Sequence, residues 1–100
     1  MDNEPMAAPT LSKIQLRASE AACEVSFHYV IDPPHCQVRL YRTPMDMDPL
    51  VVNGPAGWGT IVLDEPRTLY FDFVKNEGSF SLYTDGWREP SATDPLILLP

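Results

Sequence analysis

Cys23, His28, His35 and Cys36 stand close together in the chain and supply two thiols and two imidazoles, the donor types zinc favours. Their spacing fits no standard zinc knuckle. On an extended strand Cys23 and His28, five positions apart, point to opposite faces. The thiols therefore read as small buried apolar groups, kept reduced if the chain stays in a cytoplasm. The same parity separates Cys36 from its neighbour His35, so no activated thiol is expected. Asp46-Met47-Asp48 places two carboxylates at alternate positions, as calcium loops do, but glycine at the sixth position and glutamate at the twelfth are absent. No serine lies in a Gly-x-Ser-x-Gly elbow, and the glycines form no phosphate-cradling signature. The acids are plentiful, yet a chain this short rarely builds a glycosidase cleft. The expectation is a protein that is not an enzyme, with no metal and no cofactor.

Recognition is the chemistry that remains. Trp58 and Trp87 each follow a glycine and read as loop residues, while Tyr41 and Tyr83 fall in the polar register of their segments. Flat rings of this kind stack on sugars or anchor protein interfaces; alternatively, both tryptophans close the ends of a small core. Tyr41, Met45, Met47 and Trp58 are expected to form one apolar patch, since methionine adapts to uneven surfaces.

Charge narrows the choice. The 100 residues carry 14 acids against 7 bases, a formal charge of -7. Residues 1–43 are almost neutral, and residues 44–100 hold nearly all of the excess. An acidic surface argues against nucleic acid and against anionic membranes, because both need basic groups. It attracts basic partners. The expected partner-binding set is Tyr41, Asp46, Asp48, Trp58, Asp64, Glu65, Asp72 and Trp87, docking the acidic C-terminal half on a basic surface of another protein. Such a chain would be an adaptor or an inhibitor, for example one of phage anti-defence type that covers the basic groove of a nucleic-acid-binding protein. Two alternatives stand beside it: a carbohydrate-binding accessory domain using Trp58 and Trp87, and a virion or assembly subunit that docks through an edge strand.

Short strands must position these residues. Ile14 and Leu16 alternate with Lys13, Gln15 and Arg17, and Cys23, Val25, Phe27, Tyr29 and Ile31 alternate with Glu24, Ser26, His28 and Val30. Asp32-Pro33-Pro34 ends that run, because proline donates nothing to a ladder. Residues 36–42 alternate again. Residues 43–58 are turn-rich with an edge strand at 50–52, and strands follow at 59–64, 68–75 and 79–84. Asn76-Glu77-Gly78 makes a turn, and a proline-punctuated loop from Asp85 leads to a last apolar run at 96–99. Seven or eight short strands in one hundred residues, 44% hydrophobic and 21% charged, give a single antiparallel β-sandwich, immunoglobulin-like, over residues 1–100 with 1–10 as a flexible tail. The 11 prolines punctuate strands and blunt their edges.

The run Leu63–Gly78, with Pro66, Thr68 and Tyr70 at alternate positions and Asn76 and Gly78 after them, resembles the E–F corner of fibronectin type III and related immunoglobulin-like domains. Leu63 lies one residue further from the proline than in that family, and Phe27 or Tyr29 stands where its second-strand tryptophan would be. The resemblance implies that Tyr70 is the corner tyrosine, its hydroxyl bonded to upstream backbone and its ring packed on the sandwich. The start MDNEPMAAPT has acids where a secretory signal needs bases, and no apolar run reaches membrane-spanning length. A cytoplasmic or virion-associated protein is expected.

Overall fold

The computed structural model describes residues 11–75 and 78–90, together with the backbone of Ile97–Leu98. The expected tail at 1–10, residues 76 and 77 of the expected turn and the ends of the last apolar run lie outside the described residues. Eight strands appear in chain order: β1 (Ser12–Gln15), β2 (Glu24–Asp32), β3 (Gln37–Tyr41), β4 (Leu50–Asn53), β5 (Ala56–Val62), β6 (Thr68–Phe73), β7 (Ser79–Arg88) and β8 (Ile97–Leu98). They form two four-stranded antiparallel sheets, β1-β6-β3-β4 and β5-β2-β7-β8. No helix occurs among the described residues. The protein is an all-β sandwich.

Alternation builds the core. β2 turns Val25, Phe27, Tyr29 and Ile31 inward, where they meet Val38 and Leu40 of β3 and Leu69 of β6. Cys36 is buried at the head of β3 as a free thiol, and Cys23, also free, sits half-buried just before β2. Packing of two half-apolar faces drives the sheets together, and the Tyr29 hydroxyl donates across to Asn53 C=O of β4 at 2.9 Å.

Two expectations about β5 and β7 need correction. The turn-rich stretch ends earlier than expected, so Trp58 lies mid-strand in β5. The strand ending at Thr84 instead runs on to Arg88, which places Trp87 on β7. Glycine explains the first difference. Gly57 and Gly59 face inward opposite Tyr29 and Phe27. A Cβ on Gly57 would lie 2.7 Å from the Tyr29 hydroxyl, and one on Gly59 would lie 3.1 Å from the Phe27 ring. These glycines mark the approach of two core rings to the edge strand. The second difference arises at a bulge. The register of β2 against β7 shifts between Ser26 and Phe27, leaving Asp85 without an opposite residue and carrying the strand past it.

The β5–β6 corner turns on Pro66 and Arg67, with an isolated bridge between Glu65 and Thr68. Arg67 has φ 54°, in the left-handed region that residues carrying a Cβ rarely adopt. Its guanidinium reaches Glu20 only at 3.6 Å in an exposed pair, which contributes little. Arg67→Gly is therefore expected to raise unfolding stability, by up to about 1 kcal/mol, through relief of this conformation. Urea denaturation checks it; a destabilised variant would show that the arginine stem matters more than the turn.

Candidate functional site

The two outer faces of the sandwich differ in kind. On β3 and β6 the polar groups satisfy one another. Arg39 donates from Nε and Nη2 to the two carboxylate oxygens of Asp72, both at 2.8 Å, and the Tyr41 hydroxyl donates to Asp72 Oδ1 at 3.1 Å. Partial burial and that bond to an anion raise the Tyr41 phenol above its ordinary range. The Tyr70 hydroxyl donates to Glu65 Oε1 at 2.7 Å, which likewise favours the neutral phenol. Tyr70 does sit at the start of β6 after the corner. Its hydroxyl partner, however, is a carboxylate five residues upstream and not the upstream backbone.

Asp46 is similarly engaged. Arg42 donates to it from its backbone N–H and from Nε and Nη2, and the Asp48 N–H donates to Oδ1 at 2.9 Å. The Asp46 carboxylate is only 6% exposed, and the arginine holds its pKa well below the usual carboxylate range. Asp48 and Asp64 lie near enough to act on the same guanidinium. These contacts make the β3–β4 connection a braced loop, with Asp46 committed to arginine in the place where a calcium ligand was considered. Among the described residues no three His, Cys, Asp or Glu side chains gather as a metal-holding group.

The outer face of β5-β2-β7 displays rings. His28 pairs across the ladder with Trp58 on one side and Tyr83 on the other, so the three form a row over adjacent strands. Trp58 is 84% exposed and Tyr83 50%. The His28 and Tyr83 rings stack at 4.9 Å and 20°. His28 Nδ1 lies 2.7 Å from Asp85 Oδ1, the carboxylate accepting, so the bulged residue orients the imidazole. Exposed Val30 adjoins the row two residues along β2 from His28, and exposed Val62 lies four residues along β5 from Trp58.

The eight sequence-predicted residues do not converge. Tyr41 and Asp72 are on the outer face of β3-β6, and Asp46 and Asp48 are in the β3–β4 loop. Asp64 and Glu65 are at the β5–β6 corner, and only Trp58 is in the aromatic row. Tyr41 and Trp58 lie on opposite outer faces, so the expected patch with Met45 and Met47 does not form. Trp87 points inward opposite Val25, packs against the core and donates its indole N–H to Glu89 at 3.3 Å. It closes the core, as the alternative for the tryptophans held. Asp85 was missed as a site residue because its sequence context reads as a loop, and His28 because it stood among the cysteines. The polar register of β2 was the one signal that put His28 outward.

Among the described residues no helix is long and apolar enough to cross a membrane. Compared with known proteins, the chain matches no family model, no curated protein and no solved structure.

Proposed function

We propose that this chain is a non-enzymatic protein-binding module, an adaptor or inhibitor that seats the outer face of β5-β2-β7 on a basic surface of its partner. The observation that carries the reading is Trp58. The largest side chain type in the protein is 84% exposed in mid-strand, in line with His28 and Tyr83 and near exposed Val30. Tryptophan and tyrosine on a rigid sheet are what interface hot spots are made of. On this face Arg88 Nε donates to Glu24 Oε1 at 3.1 Å, which leaves Asp32 and the His28-bonded Asp85 as its excess acids and favours a basic partner such as a nucleic-acid-binding protein. Asp48 and Asp64, both exposed, add to the field that steers encounter. Asp46 and Asp72 have no part in this docking, since arginines of the chain already match them.

Trp58→Ala is the test. It is expected to weaken partner binding at least tenfold and to leave thermal stability nearly unchanged, because so little of the ring is packed. Immobilised wild-type and variant protein, compared for what each retains at low and at moderate salt, give the readout. A partner retained equally by both would overturn the reading.

A second reading has one observation in its favour. Trp58 and Tyr83 are separated by one intervening strand, roughly 10 Å at the usual strand spacing, which suits rings stacking on a chain of sugars. Depletion of the protein by insoluble polysaccharide, unaffected by salt and lost in Trp58→Ala, would favour it. The exposed Val30 beside the row fits a protein surface better.

A further inference from the structure

The edges of the two sheets are guarded unequally. β1 and β4 have four residues each, β1 carries Lys13, β4 lies between Pro49 and Pro55, and β8 has two residues. Short strands, prolines and charges of this kind keep edges from pairing with other chains. β5 has seven residues, Ala56–Val62, with no charge and no proline among them. On its inner side it pairs with β2. Among the described residues nothing pairs with its other side.

The phase of that open edge is fixed. Leu63 N–H donates to Cys23 C=O at 2.8 Å, and Ile31 N–H donates to Pro55 C=O at 2.7 Å. Antiparallel bonding alternates, so Gly57, Gly59 and Ile61 also direct their backbone groups at β2. Ala56, Trp58, Thr60 and Val62 therefore direct their N–H and C=O groups away from the sandwich. The side chains of these same residues stand on the outer face, all exposed.

We infer that the β5 edge is a self-association surface, and that its occupant is β5 of a second copy of this chain. The segment is complementary to itself in one antiparallel register. With Gly59 opposite Gly59 of the second copy, Ala56 pairs with Val62 and Trp58 with Thr60, and every outward donor and acceptor of the four residues finds a partner. Symmetric pairing of this sort closes as a two-fold dimer and joins the two sheets edge to edge. Only uncharged side chains meet: Val62, half exposed in the single chain, comes against Ala56, and Trp58 gains cover from Thr60. The exposed Leu50 of the neighbouring β4 adds apolar surface on that side. The two aromatic rows then lie on one continuous face.

Net charge decides how the dimer responds to salt. Two chains of -7 repel at long range, and that repulsion is screened beyond about 8 Å at physiological ionic strength. Dimerisation therefore strengthens with salt, whereas docking on a basic partner weakens with it. The two proposals can thus fail separately.

The experiment uses the full chain alone. Sedimentation equilibrium from micromolar to near-millimolar protein, at low and high salt, reads the mass, and amide hydrogen exchange at the same concentrations reads the edge. A concentration-dependent dimer, favoured by salt, with Ala56, Trp58, Thr60 and Val62 amides protected only at high concentration, is the expected result. Thr60→Pro removes one outward N–H without touching the β2 ladder and is expected to weaken the dimer at least tenfold. If that variant does not fold, exchange in the wild type still decides. A monomer throughout, a dimer that leaves those four amides unprotected, or their protection only by a different added protein would each overturn the inference.

Discussion

Phe27→Ala is expected to remove about 3–5 kcal/mol of folding free energy, the usual cost of truncating a fully buried phenylalanine. A domain of this size has roughly 5–15 kcal/mol in all, so the variant should melt some 15–30 °C lower or fail to fold. Phe27 is 1% exposed at the middle of β2 and tilts against Tyr29 with ring centroids 6.2 Å apart. Its ring also lies under the bare backbone of Gly59. The surroundings cannot close the void cheaply. A glycine flanks the ring on β5, and the β7 bulge begins beside it. Thermal and urea unfolding followed by circular dichroism measure the loss. A fall of less than about 1 kcal/mol would mean that the core around β2 is looser than the near-complete burial of Phe27 implies. Trp58→Ala, on the neighbouring strand but on the opposite face, serves as the contrast because it should change the melting temperature little.

Asp46→Asn should be the second largest effect, about 2–3 kcal/mol at neutral pH. Its carboxylate accepts from Nε and Nη2 of the Arg42 guanidinium and from two backbone N–H groups while almost entirely out of water. An amide in its place cannot match the charge and presents a donor to at least one of those donors. Because folding depresses the Asp46 pKa, its contribution is complete above the ordinary carboxylate value near pH 4. It fades as the pH falls from there through the depressed folded value. The stability gap between wild type and variant should thus be constant from about pH 5 to 7 and narrow below about pH 4. Denaturation curves for both proteins across that range test it. A gap that does not depend on pH would remove the ion pair from the account.

The fold was legible because strand alternation is a local property. Phe27 and Tyr29 announce an inward face whichever partners they meet, and prolines after Ile31 must end a ladder. β5 was the hardest strand to read. Gly-Trp-Gly has the composition of a turn, and only the rings of Tyr29 and Phe27, contributed by another strand, make glycine the residue that fits. Asp85 was misread for a related reason. A bulge is a property of two strands in register, and one strand's sequence cannot display it.

The docking residues divide in the same way. Acidity can be counted along a chain, but which acids are available is settled by where the arginines fall. Arg39 stands opposite Asp72 because β3 pairs with β6 in one register, and Arg42 folds back on Asp46 across a loop. The sequence by itself determined an all-β chain with an acidic excess and no catalytic motif, since composition and alternation need no knowledge of partners. Tertiary structure decided that Trp87 is core and Trp58 surface, that His28 and Tyr83 stand in line with it, and that β5 is an open edge. Each of those facts depends on which strands lie side by side, and that is fixed by long-range pairing between segments far apart in the chain.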